Sequence, residues 1–95
     1  MKDVERKKLI KTSWELHSSI ESSYLAHPGS KGESKWLEKQ RILLADMAIH
    51  LLQTAIAPGD IEIDKLKNNL HAILTISDEF LPKAELKSAL NRLYE

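Results

Sequence analysis

The chain has no cysteine among its 95 residues. That removes disulfide frameworks, thiolate zinc sites and cysteine nucleophiles together. Charge of one sign is missing too: 14 Lys and Arg stand against 14 Asp and Glu, a formal net charge of zero. A neutral chain is not built to grip nucleic acid or anionic lipid through bulk electrostatics. Aromatic residues make up only 5%, and no segment alternates apolar with polar for long, so strands are not expected. Long apolar runs are absent as well. The charged start, Met1 to Lys8, leads into no signal-type apolar stretch. The most apolar region, residues 42–57, carries Asp46, His50 and Gln53 and is too short to span a bilayer. These features predict a cytoplasmic protein with no membrane association.

The three glycines and three prolines act as punctuation. Turns are expected at His27-Pro28-Gly29-Ser30-Lys31-Gly32 and at Pro58-Gly59-Asp60. A third boundary falls at Leu81-Pro82, where proline disfavours helix in the residue before it. The four segments between read as helices at about 3–25, 34–57, 61–79 and 82–94, a small all-α up-down bundle in a single domain, residues 1–95. Ser30 and Glu33 have capping-box spacing. Asp60 or Asp64 is placed to cap the third helix, and Pro82 to open the fourth. A chain of this size exposes roughly 5,500 Å² folded against about 15,700 Å² unfolded, enough burial to fold alone but only marginally.

In the first helix, Leu9, Ile10, Ser13, Leu16, His17, Ile20 and Tyr24 recur at three- and four-residue steps and form one face. The second helix has two apolar rows. Leu37, Leu44, Met47, Ala48, Leu51 and Ala55 make one, sufficient to dock it in a bundle. Ile42, Ala45, Ile49, Leu52 and Ile56 make another, with the three-four spacing of a coiled-coil seam. Lys35, Lys39, Asp46, His50 and Gln53 are left as the strip for water. Either this helix is central, with neighbours on both flanks, or the second row faces another chain. The second reading predicts a homodimer, C2 being the commonest closed solution, with Trp14 as a further anchor.

Four histidines invite a search for metal. His17 and Glu21 stand four apart, as do Asp46 and His50, so each pair can meet on its own helix. A Glu-x-x-His motif is absent, because Trp14, Met47 and Asn68 precede His17, His50 and His71 by three. His-Glu-x-x-His is absent too. The expectation is therefore no metal and no cofactor: His17 is a partly buried histidine on an apolar face, and Asp46–His50 is a surface pair. No nucleophile elbow, P-loop or dinucleotide fingerprint occurs, so neither an enzyme nor a small-molecule substrate is expected. Lys7, Lys8 and Lys11, with Lys2 and Arg6, concentrate positive charge on the first helix. They are the candidate contacts of an alternative reading, a DNA-associated regulator.

From Trp36-Leu37-Glu38 to Tyr94 there is a recurring series: Leu44, Ile49, Leu51-Leu52, Pro58-Gly59-Asp60, Leu66, Leu70, Leu74, Ser77-Asp78, Leu81, Leu86, Leu90 and Leu93. In this it resembles the AriR/YmgB family of small enterobacterial regulators linked to biofilm formation and acid resistance. The resemblance implies an all-α homodimer working by protein contact as a two-component connector, with DNA association as a further expectation. It assigns no residue a role. The leading expectation is thus a non-catalytic cytoplasmic adaptor or regulator that binds itself or another protein through helical surfaces. The alternative within protein binding is a small helical immunity or antitoxin-type antagonist, or a phage-related one.

Overall fold

The computed structural model describes residues 1–28 and 35–95. The described residues are all-α and form four helices: α1 (Asp3–Ala26), α2 (Trp36–Ile56), α3 (Ile63–Ser77) and α4 (Leu86–Arg92). The expected capping box at Ser30 and Glu33, and the expected start of the second helix at Ser34, lie outside the described residues. The turn after α2 uses Gly59 at φ 83°, in the left-handed region that glycine adopts without steric cost.

Two boundaries differ from the sequence reading. Neither Asp60 nor Asp64 caps α3; Glu62 takes the N-cap position without a side-chain hydrogen bond. The fourth helix does not begin at Pro82. Ala84 N–H donates to Leu81 O at 3.1 Å, closing a tight turn over the proline. Glu85 then sits in the left-handed region at φ 57°, so helical geometry resumes only at Leu86.

The helices pack in sequence order: α1 on α2, α2 on α3, α3 on α4. Among the described residues no other pair meets. The result is a bundle opened into one layer, 45 × 36 × 15 Å between Cα extremes. Its radius of gyration of 15.1 Å exceeds the roughly 12 Å of a close-packed chain this long. A single layer cannot wrap a core, and burial reflects this. The buried hydrophobic residues are Ile56 and Ile76, whereas Ser13, Gln40, Asp46 and Thr54 are buried polar ones.

The seam between α1 and α2 corrects the assignment of their faces. Leu9 and Leu16, read as core, are exposed. Ser13, at 1% exposure, is the most deeply buried residue, and its small side chain lets the two helices approach closely. The α2 strip read as facing water instead meets α1. Asp46 is buried there, and Gln53 Nε2 donates to Ser13 Oγ at 3.3 Å. Ser13 Oγ donates in turn to Ile10 O at 2.6 Å. Polar groups at such a depth need partners, and each strip supplies the other's. Arg6 clamps one end of the seam, donating to Ile56 O and, at 3.2 Å, to Ala57 O. These are free carbonyls of the α2 C-terminus, which also favours a cation electrostatically.

Candidate functional site

Halfway along the seam, two short-range pairs face each other. On α1, His17 Nε2 lies 3.3 Å from Glu21 Oε2; on α2, His50 Nε2 lies 3.4 Å from Asp46 Oδ2. Both are four-residue pairs, neighbours on one helix face, as the spacing predicts. Antiparallel packing then brings them together. His17 Nδ1 stands 2.5 Å from Asp46 Oδ1, and the two imidazole rings are 4.8 Å apart at a 66° angle. Asp46 is therefore not in a surface pair. Its side chain is 11% exposed, between two imidazoles. His17 does not rest on an apolar face either: a carboxylate stands at each ring nitrogen, and its ring is nearly perpendicular to that of Trp14, with centroids 5.6 Å apart.

His50 also lines a cavity of about 470 Å³ on one face of the layer, with Trp14, Ile10, Gln53 and Thr54, and Asn69 of α3. Thr54 fixes its inner wall, with its hydroxyl 2.5 Å from Asn69 Oδ1 and 3.1 Å from His50 O. Trp14 is half exposed at the rim. One ligand-capable atom each from His17, Asp46 and His50 lies within 4.8 Å of the other two. No single-helix motif announces this cluster. The available signal was two His/carboxylate pairs at four-residue spacing, one on each of two consecutive helices.

The residues expected at an interface occupy two different faces. At 100° per residue, Trp14 and Ile20 fall on opposite sides of the α1 stripe that meets α2. Trp14 belongs with the cavity. Ile20 lies with Ile42 and Ala45 in a shallow groove on the other face. Ile42 and Ile49 are half-buried, Ala45 and Leu52 are exposed, and Ile56 is packed inside the chain. Leu9 and Leu16 fall on the Ile20 side of α1, which extends the apolar strip across both helices. Of the basic residues on α1, Lys7, Lys8 and Lys11 are exposed, but Arg6 is committed to the α2 terminus. Among the described residues no helix is long and apolar enough to cross a membrane. Comparison with protein-family models, curated proteins and solved structures gives no match to this chain.

Proposed function

We propose that the protein is a non-catalytic cytoplasmic adaptor or regulator that works as a homodimer. The contact face is the strip of Ile42, Ala45, Ile49 and Leu52, continued by Leu9 and Leu16. The observation that carries this reading is area. The chain exposes 6,885 Å², whereas a close-packed monomer of its length exposes roughly 5,500 Å². The excess, on the order of 1,300 Å², is more than the ~800 Å² that each partner gives to a standard interface. Neutral net charge supports self-pairing, because two copies meet without strong repulsion. Trp14 and the cavity stay open on the far face of such a dimer, where a regulated protein has room to bind. That arrangement accords with the connector role implied by the AriR/YmgB resemblance.

Sedimentation equilibrium at micromolar concentration tests the proposal. The expected result is twice the chain mass. Ile49→Asp is expected to return one chain mass while far-ultraviolet circular dichroism stays helical. A single chain mass for the unaltered protein overturns the proposal.

A further inference from the structure

We propose that His17, Asp46 and His50 form a binding site for a divalent transition-metal ion, Zn²⁺ above all, that clasps α1 to α2. This goes beyond the adaptor reading and does not depend on it. It also runs against the sequence expectation of no metal, which rested on the absence of Glu-x-x-His and His-Glu-x-x-His motifs.

The first reason is a charge deficit. His17 has a carboxylate oxygen at each ring nitrogen: Asp46 Oδ1 at 2.5 Å from Nδ1 and Glu21 Oε2 at 3.3 Å from Nε2. A neutral imidazole carries one N–H. It satisfies one of these carboxylates and turns a lone pair on the other. Among the described residues neither Asp46 nor Glu21 forms an ion pair with a lysine or arginine. Among these residues, imidazole N–H groups alone face the buried Asp46 carboxylate, and a cation held between Nδ1 and Asp46 supplies the compensating charge that burial favours.

The second reason separates a metal from a second proton. Protonating His17 satisfies both carboxylates and leaves His50 a single long donation to Asp46 Oδ2. Yet His50 Nε2 also approaches Asp46, at 3.4 Å, and its ring lies 4.8 Å from that of His17. Two imidazoles and one carboxylate converging from two helices are a three-ligand zinc set, and nitrogen and oxygen donors without thiolate suit zinc and its first-row neighbours.

Bond lengths of about 2.0–2.1 Å place tetrahedral zinc ligands roughly 3.3 Å apart. His50 Nε2 already stands 3.4 Å from Asp46 Oδ2, whereas His17 Nδ1 meets the other oxygen, Oδ1, so the carboxylate turns to present one oxygen to both rings or offers both to the ion. The His17–Asp46 contact opens by about 0.8 Å to admit the ion, and ligand atoms that stand up to 4.8 Å apart draw together toward roughly 3.3 Å, both by side-chain rotation. Glu21 then acts on His17 from behind, accepting Nε2–H and fixing the tautomer that presents Nδ1. His50 is one-third exposed and lines the cavity, which leaves a fourth coordination position for water.

The test is calorimetric titration of Zn²⁺ into chelator-stripped full-length protein, paired with the visible spectrum of a Co²⁺-loaded sample. Saturation at one ion per chain is expected, with the intense visible bands of tetrahedral nitrogen and oxygen coordination. His50→Ala is expected to weaken binding at least about 100-fold and Glu21→Gln about 10-fold. His71→Ala, on α3 outside the cluster, should change nothing. Imidazole ¹⁵N shifts of the unaltered protein keep the test decisive if a variant fails to fold: Zn²⁺ must move the ring nitrogens of His17 and His50 and spare those of His71. Absence of saturable binding, binding indifferent to His50→Ala in a folded variant, or shifts confined to other histidines overturns the site.

Discussion

Asp46→Ala is the sharpest test of a polar seam, because hydropathy puts this residue in water and the fold puts it between two imidazoles. The substitution removes the 2.5 Å contact to His17 and the longer one to His50. A charge-assisted hydrogen bond contributes about 1.5–3 kcal/mol, and stranding a buried partner costs about 1–3 kcal/mol more. Against this stands the relief of no longer holding a carboxylate away from water. The net expected loss is about 2–3 kcal/mol. Domains of this length have about 5–14 kcal/mol in total, and a one-layer fold with two buried hydrophobic residues belongs near the lower end. At about 4–8 °C per kcal/mol for small domains, the melting temperature should fall by roughly 10–20 °C. Asp46→Asn keeps an acceptor and should fall by less. Thermal unfolding followed by circular dichroism, in a chelating buffer, measures both. Leu52→Ala is the control: Leu52 is exposed in the single chain, so any loss should grow with protein concentration, as expected of an interface. An Asp46→Ala melting temperature within 2 °C or so of the unaltered protein would refute the polar seam.

Three further outcomes follow from individual side chains. Arg6→Met keeps most of the aliphatic stem but loses the donors to Ile56 O and Ala57 O; about 1–2 kcal/mol of stability should disappear in urea unfolding. Gln40 is buried, and its Oε1 has no partner among the described residues. Gln40→Leu should therefore raise the urea midpoint, by about 1–2 kcal/mol in free energy, and a lower midpoint would show that the amide is satisfied. Glu85 holds a left-handed conformation at φ 57°, strained for any residue with a Cβ. Glu85→Gly should stabilise the start of α4 by about 0.5–1 kcal/mol, read as slower amide exchange from Leu86 onward.

Much of this molecule is legible in its sequence. Apolar residues at three- and four-residue steps, cut by Pro58-Gly59, determine that the chain is helical and where α1, α2 and α3 lie, because helix periodicity is a local property. The His17/Glu21 and Asp46/His50 pairs are local too, and both form. Pro82 misled as a helix start because the turn closing over it depends on the carbonyl of Leu81, a choice that residue preferences alone do not make.

Which face meets which was decided by the tertiary structure. Hydropathy ranks a face by its liking for water, so Asp46, His50 and Gln53 read as solvent-facing. A polar strip is equally at ease against another polar strip that completes its hydrogen bonds, and α1 offers one in Ser13 and His17. Once α1 and α2 join through those groups, the row from Ile42 to Leu52 turns toward one face of the layer. The surplus apolar surface was therefore written in the sequence, while its exposure, and the meeting of two histidines over one buried carboxylate, came from how the helices pair.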